Sequence, residues 1–375
     1  MTWTLRLAGL ACAGLLISSV SALAGPKIVS GPGADPACFK PWSDQTKFFQ
    51  WDKKPGPYKI ALVNGFVGNT WRIQMVKTAK AFAEQPGIKE NIKEFKVVST
   101  GTDVAAQLGA MEDFINQGFD AIVTIAVAPD GFDRIIRLAD KNNVVVVPFD
   151  NILDTDKVMM VNEDQKEMGR MSAKWLIDES GKKAGDILEV RGLPGNSVDR
   201  DRHLGFREVL DAGGKFNVTE VVGNWDTGTS QKVTADALAV HGHFDAVFTQ
   251  GGSDGTVQAM MDAHHPFVAM SGEGENEYRK QIADHSKDGL KGMSYGQSPA
   301  LVAIAMKAAI SALQGNVMPQ LISIPIPVAT YKDLKAGVNY WPDLKANFFA
   351  DNQFTPCGVE FTAPQIMSQS EKNTQ

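Results

Sequence analysis

The stretch "YKIALVNGFVGNTWRIQMVKTAKAFA", residues 58–83, contains two periodicities that together indicate the fold. It begins with an apolar run of strand length, and Trp71, Met75, Ala79 and Ala83 then recur at the spacing of one helix face. A strand that is apolar on both faces needs cover on both faces, as in a parallel sheet packed between helices. The stretch therefore predicts a strand followed by a helix in an α/β sheet.

The same alternation of apolar runs and helical stripes continues along the chain. The later runs are "FKVVST" (95–100), "DAIVTIAV" (120–127), "VVVVPFD" (144–150), "DILEV" (186–190), "VTEVV" (218–222), "DAVFT" (245–249), "PFVAM" (266–270) and "LKGMS" (290–294). A chain of 375 residues is longer than one hydrophobic core usually supports, so more than one folded unit is expected. The pattern therefore predicts an α/β protein with two doubly wound parallel-sheet lobes and a ligand cleft between them. The alternation stops after about residue 330, and an added tail is expected there.

The first residues, "MTWTLRLAGLACAGLLISSVSALAG", have the composition of an export signal. One early charge, Arg6, precedes an apolar stretch that ends in small residues, so cleavage is expected near Ala24. A membrane anchor is the alternative, but no second apolar run of spanning length follows. Cys12 raises the alternative of lipid attachment, although Gly9 stands where such a site has leucine. Residues 1–24 are therefore predicted to be a signal peptide.

The charge of the chain excludes two classes of partner. Its formal net charge is −6, and removing residues 1–24 takes away Arg6 and no acidic residue, which gives −6 − 1 = −7. An acidic chain has no general attraction for nucleic acid, and no polybasic segment is present to bind anionic lipid. No nucleic-acid partner and no membrane-spanning segment are expected in the exported chain.

Two cysteines, Cys38 and Cys357, remain after the export signal. In an exported protein such a pair predicts one disulfide that ties the two ends of the chain, with two unpaired thiols as the alternative. The bridge is expected to lie away from the cleft, so its loss is expected to leave ligand affinity almost unchanged.

Sequence motifs for nucleotide and metal chemistry are missing. "NGFVGN" (64–69) and "RGLPGNS" (191–197) are neither dinucleotide-binding nor Walker sequences, and no zinc-protease or C-x-x-C motif occurs. The adjacent His264 and His265 are expected at a solvated helix end rather than on a metal. No cofactor, no metal and no enzymatic activity are predicted.

Polar and aromatic residues instead recur at the carboxyl ends of the predicted strands, where ligands bind in open parallel sheets. They are Asn69, Trp71, Asp150, Asn151, Arg202, Trp225, Glu273 and Gln297. Each also has a structural explanation as a turn cap, a solvated helix residue or a core edge. Their repetition at strand ends favours a binding site.

Six segments of the chain resemble a known family. They are "IALVNGFVGNTWRIQMVKTAKAFA", "VVVVPFDN", "GLPGNSVDRDRHLGF", "DAVFTQGGSDG", "SGEGEN" and "YGQSP". They are similar, in order and spacing over residues 58–328, to periplasmic sugar-binding proteins of the ribose-binding type. The resemblance implies two lobes joined by a three-segment hinge that close on a sugar and deliver it to an inner-membrane ABC permease.

The resemblance also implies roles for particular residues. Trp71 falls on a stacking aromatic and Asn69 on a hydroxyl-binding amide. The other residues that fall on ligand-binding positions of the family are Asp150, Arg202, Trp225, Glu273 and Gln297. Aromatic rings cover the C–H faces of a sugar, and charged groups hydrogen-bond its hydroxyls.

The chain also departs from the family at several binding positions. Arg72 stands where the family has a second aromatic, and Asn151 where it has an arginine. Glycine, at Gly251 or Gly252, replaces an asparagine, and Glu273 lengthens an aspartate. These departures predict a ligand other than ribose that is larger, differently hydroxylated or acidic. Arg72, Asn151 and Gly252 therefore join the predicted site.

The expected division of the chain follows from these observations. Residues 1–24 are the signal peptide, 25–57 an N-terminal extension, 58–162 plus 296–322 the N-terminal lobe, 163–295 plus 323–330 the C-terminal lobe, and 331–375 the tail. The prediction is a monomeric periplasmic solute-binding protein for a carbohydrate, polyol or sugar acid. The alternatives are a secreted α/β enzyme that acts on a sugar and a chemoreceptor-linked sugar sensor. A sugar-responsive repressor would need a DNA-binding segment where the export signal lies.

Overall fold

The structure, a computed structural model, describes residues 25–344 and 348–374. The predicted signal peptide, residues 1–24, lies outside the described residues. The elements of the first part of the chain, in order, are β1 (Lys27–Val29), β2 (Phe48–Gln50), β3 (Tyr58–Asn64), α1 (Thr70–Ala83), β4 (Ile92–Ser99), α2 (Val104–Asn116), β5 (Ala121–Ile125), α3 (Asp133–Lys141) and β6 (Val145–Pro148).

Strands β3 to β6 form a parallel four-stranded sheet in the order β4-β3-β5-β6. Neighbouring residues of β3 point to opposite faces, so Ile60 and Leu62 enter one apolar cluster while Ala61 and Val63 enter another. Because helices cover both faces, the four consecutive residues 60–63 are all apolar. This confirms the parallel sheet predicted from residues 58–83.

The second lobe follows. Its elements are β7 (Met160–Glu163), α4 (Gln165–Ser180), β8 (Ala184–Arg191), α5 (Ser197–Gly213), β9 (Lys215–Val222), α6 (Thr227–His241), β10 (Ala246–Thr249), α7 (Ser253–Asp262), β11 (Ala269–Gly272), α8 (Asn276–His285) and β12 (Lys291–Tyr295). Strands β8 to β12 are parallel and lie in the order β9-β8-β10-β11-β12. Apolar clusters again occupy both faces of this sheet.

The remaining elements return to both lobes. They are α9 (Leu301–Leu313), β13 (Met318–Pro319), β14 (Leu321–Ile324), β15 (Val328–Thr330), β16 (Gln353–Phe354), β17 (Val359–Glu360) and α10 (Ala363–Met367). Helix α9 packs in the core of the first lobe, and β15 joins the second sheet antiparallel to β12. The chain thus crosses between the lobes after β6, after β12 and after β14, and β7 pairs in parallel with β14. The predicted three-segment hinge is confirmed.

The segment after residue 330 packs more extensively than the sequence indicates. Phe348, Phe349, Val359, Phe361 and Ile366 are all buried, although the segment has little regular secondary structure. Their irregular spacing gives no periodic signal, which is why an added tail was expected. The tail is instead part of the folded body.

The two predicted partners Cys38 and Cys357 are joined in a disulfide. Both cysteines are buried in the apolar cluster of the first lobe. Neither cysteine lines the cavity described below, but Phe349, eight residues before Cys357, does, so loss of the bridge is now expected to affect ligand affinity. A covalent anchor on the tail therefore also restrains a wall of the cavity.

Breaking this bridge is expected to destabilise the protein and to weaken ligand binding. The bridge spans 319 residues, and the loop-entropy model assigns such a closure on the order of 5 kcal/mol. The Cys38→Ser/Cys357→Ser double variant should unfold at a lower temperature than the wild type. Thiol titration of the denatured, unreduced exported protein should find no free cysteine, and two titratable thiols would contradict the bridge.

Candidate functional site

A cavity of about 30 Å³ lies between the two lobes, at the carboxyl ends of both sheets. Its walls are formed by Asn69, Thr70, Trp71, Arg72, Asp150, Asn151, Val198, Trp225, Thr227, Gly252, Glu273, Glu275, Gln297 and Phe349. The structure thus brings together all the predicted site residues except Arg202. The contribution of each residue to ligand binding stays a prediction.

The first wall is the start of α1. Asn69 caps this helix, because its Oδ1 accepts a hydrogen bond from the backbone N–H of Arg72 at 2.9 Å. Its Nδ2 donates across the cleft to the carbonyl of Trp225 at 3.4 Å. Trp71 donates through Nε1 to the carbonyl of Gln297 at 3.0 Å. The indole ring is thereby fixed in the cavity wall.

Arg72 is buried beside this ring. Its Nη1 donates to Asn64 Oδ1 at 2.9 Å, and the guanidinium carbon lies 4.9 Å from the centre of the Phe66 ring. Burial lowers the pKa of Arg72 to about 10, partly offset by the nearby charge of Asp150. Arg72 therefore remains cationic at neutral pH and faces a carboxyl group of the same wall.

Asp150 and Asn151 follow β6. Asp150 has φ of 60°, a left-handed conformation that aspartate and asparagine adopt more readily than most residues. Burial raises its pKa to about 7, although Arg72 and Arg202 act in the opposite direction. Among the described residues, Asp150 Oδ1 and Asn151 Nδ2 have no hydrogen-bond partner. Buried polar atoms without partners are rare, so these two are suited to bind a polar ligand.

Arg202 lies behind the wall rather than in it. Its side chain is fully buried, and it donates to Glu273 Oε1 at 2.5 Å, to the carbonyl of Gln250 at 2.7 Å and to Gln165 Oε1 at 2.9 Å. It also donates to Gln297 Oε1. The expectation that Arg202 lines the site differs from the structure, because these four acceptors occupy its guanidinium. Arg202 positions Glu273 and Gln297, which do line the cavity.

The second lobe contributes Trp225 and Gly252. Trp225 has φ of 55°, and its Nε1 has no partner among the described residues. Gly252 has φ of 70°, and a Cβ added there would lie 2.5 Å from Ser230 Oγ. A larger residue would therefore be strained and would clash, which explains the glycine at this position.

Sequence reasoning missed several lining residues, of which Glu275 and Phe349 matter most. Glu275 Oε1 accepts from the backbone N–H groups of Gly252 at 2.8 Å and Ser253 at 3.1 Å, while its Oε2 has no partner in the described parts of the chain. Burial raises the pKa of Glu275 to about 8. Its place two residues after Glu273 was a usable signal, whereas Phe349 lies in the irregular tail and gave none. Thr70, Val198 and Thr227 complete the missed set.

A two-lobed α/β protein with three crossing segments and a polar, aromatic-lined cavity between the lobes has the type I periplasmic-binding-protein fold. Residues 60–316 match the periplasmic binding protein domain, and the chain belongs to this family. The chain is 26% identical over 280 residues to a ribose import binding protein of Bacillus subtilis, covering 73% of this chain and 88% of the relative.

Solved structures agree with this assignment. An ABC transporter solute-binding protein from Thermobispora bispora superposes with a TM-score of 0.67 at 25% identity, covering 72% of this chain and 84% of that one. The arabinose ABC transporter binding protein of Shewanella sp. ANA-3, solved with α- and β-L-arabinofuranose, superposes with a TM-score of 0.64 at 26% identity, covering 72% and 92%.

Family membership confirms the predicted solute-binding role and implies an exported protein. Members of the family are binding proteins rather than enzymes. Over residues 25–344 and 348–374, no helix has the length and apolar character needed to cross a bilayer.

Proposed function

We propose that this chain captures a neutral carbohydrate or polyol between its lobes and delivers it to an inner-membrane ABC permease. The observation that carries the proposal is the pair of rings, Trp71 and Trp225, set among unpartnered carboxyl and amide groups in one cavity. Rings pack against the C–H faces of a sugar, and carboxyl and amide groups hydrogen-bond its hydroxyls. The relatives named for ribose and arabinose support the same class of ligand.

The charge of the cavity favours a neutral ligand over the sugar acid that Arg72 alone indicates. The wall carries three acidic side chains, Asp150, Glu273 and Glu275, against the single guanidinium of Arg72. Whichever of these groups is ionised would repel a ligand carboxylate and oppose its binding. Hydroxyl groups can donate to a carboxylate and accept from a protonated carboxyl, so they suit both states of these residues.

Lobe movement is part of the proposal. The cavity of about 30 Å³ holds roughly two water molecules, less than a sugar ring needs. The contact between Asn69 and the carbonyl of Trp225 joins the lobes across the cleft at 3.4 Å. We expect the lobes to separate at this contact when the ligand enters and to close on it afterwards.

The proposed boundaries are those expected from the sequence. The lobes comprise 58–162 plus 296–322 and 163–295 plus 323–330, flanked by 25–57 and 331–375. The positions of β7 and β14 between the two sheets support these divisions. Cleavage near Ala24, a monomeric state and the absence of enzymatic activity are parts of the same proposal.

A thermal-shift screen tests this function. Pentoses, hexoses, polyols and sugar acids are added separately to the purified protein, and the unfolding temperature is measured. A ligand at one hundred times its Kd stabilises the folded state by about 2.7 kcal/mol. We expect a neutral compound to raise the unfolding temperature, whereas stabilisation by sugar acids alone would contradict the proposed ligand class.

Removing either cavity tryptophan is expected to weaken binding of the compound that the screen identifies. Trp71→Ala or Trp225→Ala should each cost about 1–3 kcal/mol of binding free energy, the value of burying a large apolar side chain. Isothermal titration calorimetry measures the affinity. Trp175→Ala is the control, because Trp175 packs against Tyr331 away from the cavity. Normal affinity in both cavity variants would remove these rings from the site.

A further inference from the structure

Phe349 reaches the cavity from a part of the chain that the family match, residues 60–316, does not include. It lies in residues 348–352, which follow the three hinge connections in the chain. These residues contact both lobes, and we call them the crossing segment. The crossing segment therefore forms a fourth link between the lobes, and its phenylalanine is one of the apolar side chains in an otherwise polar wall.

On the side of the first lobe, the crossing segment is held by Gln74 of α1. Gln74 Oε1 accepts from the backbone N–H of Phe349 at 2.8 Å, and its Nε2 donates to the carbonyl of Phe349 at 3.1 Å. The same Nε2 donates to Asn352 Oδ1 at 2.6 Å. Gln74 is 1% exposed, so these bonds form away from competing water. The backbone of Phe349 is thus fixed relative to Trp71 on the same helix.

On the side of the second lobe, the segment pairs with the chain that carries Glu273 and Glu275. Phe349 forms an antiparallel bridge with Glu275, and the N–H of Ala350 donates to the carbonyl of Gly274 at 2.9 Å. The N–H of Asn276 donates to the carbonyl of Phe348 at 2.8 Å. These bonds place Phe349 beside the carboxyl groups of the cavity wall.

A partly buried ion pair completes this attachment. The guanidinium of Arg279, which is 1% exposed, donates to both carboxylate oxygens of Asp351. Nη1 lies 3.2 Å from Asp351 Oδ1. A two-pronged arginine–carboxylate contact fixes orientation as well as distance. With both lobes holding the segment, the Phe349 ring has little freedom to withdraw from the cavity.

We propose that Phe349 determines ligand specificity by forming an apolar wall against which a C–H face of the bound sugar packs. This inference rests on the proposed capture of a neutral carbohydrate. A ring held by both lobes limits the length of ligand that the closed cavity accepts. The segment that follows residue 330 thereby becomes part of the recognition site.

Affinity measurements with a fixed panel test this role. The panel is D-ribose, L-arabinose, D-allose, myo-inositol and the disaccharide maltose. For whichever monosaccharide or polyol binds the wild type best, Phe349→Ala should lower the affinity roughly tenfold or more, and binding of maltose relative to that compound should increase. Phe348→Ala is the matched control, because Phe348 is equally buried but packs against Trp341. Equal affinity losses in the two variants would overturn the proposal.

Thiol labelling tests, without any ligand, whether residue 349 faces the cavity. The described cysteines are joined to each other, so Phe349→Cys adds a single reactive thiol to the exported protein. Iodoacetamide should modify the Phe349→Cys variant about tenfold faster than the Ile366→Cys variant, whose altered residue is a fully buried core position of the same tail. Equal rates would show that residue 349 does not face the cleft. If the labelling difference holds but no panel compound binds the wild type, the proposed ligand class fails and the cavity position of residue 349 stands. That result would also overturn the proposal that Phe349 packs against a bound sugar of this panel.

Discussion

Replacing Arg202 with methionine is expected to lower the free energy of unfolding by about 3–5 kcal/mol, the cost of breaking a buried ion pair by removing one partner. The Arg202 guanidinium is fully buried and is the donor to Glu273, Gln165, Gln297 and the carbonyl of Gln250. Methionine fills similar space but leaves these acceptors without their donor. Denaturant unfolding at pH 7 measures the loss.

The same change is expected to abolish most ligand binding, because Glu273 and Gln297 lose the group that positions them in the cavity wall. Arg207→Met is the matched control on the same helix, since Arg207 pairs with the exposed Asp211 four residues later. It should change stability by less than about 1 kcal/mol. The double variant Arg202→Met/Glu273→Gln should recover part of the lost stability, because the unpaired carboxylate is removed as well. An Arg202→Met variant as stable as the Arg207→Met control would contradict this account.

The sheets could be predicted from the sequence because burial on both faces imposes a strong local pattern. In β3, Ile60 and Leu62 enter one core cluster and Ala61 and Val63 the other. The central positions of the strand must then be apolar on both faces, and the helix that follows needs only one apolar stripe. Both requirements act within about 25 residues, so one sequence reveals them.

The site could be predicted as far as it depends on strand ends. Asp150 lies two residues after β6 and Glu273 directly after β11, so each is at the carboxyl edge of its own parallel sheet, where the cavity lies. Phe349 could not be found in this way. It reaches the cavity through hydrogen bonds to Gln74, 275 positions earlier in the chain, and nothing in the local sequence encodes that contact.

The role of Arg202 also required the structure. A strand-end rule locates a charged residue near the cleft, but it does not reveal whether the charge faces the ligand or another side chain. In the structure the four acceptors around the guanidinium are all protein atoms, so we expect Arg202 to act on the ligand through Glu273 and Gln297. Among the described residues of the cavity wall, buried polar side-chain atoms without a hydrogen-bond partner belong to Asp150, Asn151, Trp225 and Glu275.

An Asp150→Asn variant is expected to be more stable than the wild type at pH 8 and to bind ligand less tightly. Burial raises the folded-state pKa of Asp150 from 3.8 to about 7, a shift of about 3 units. Between these values the folded carboxyl holds a proton that the unfolded one releases, so the free energy of unfolding falls as pH rises from about 4 to 7. At 1.36 kcal/mol per unit, the full loss is up to about 4 kcal/mol and is complete above pH 7.

Asparagine does not titrate, so the stability advantage of Asp150→Asn over the wild type should grow from pH 4 to pH 8 by up to that amount. The backbone at residue 150 has φ of 60°. Asparagine also adopts positive φ readily, so this backbone tolerates the substitution. Denaturant unfolding at both pH values gives the difference, and Asp130→Asn, at an exposed position of the same lobe, serves as the control.

Affinity should fall by about 1 kcal/mol, because a ligand hydroxyl then donates to a neutral amide instead of a charged carboxylate. A stability difference that does not change with pH would mean that Asp150 stays ionised in the folded protein, with Arg72 and Arg202 outweighing its burial.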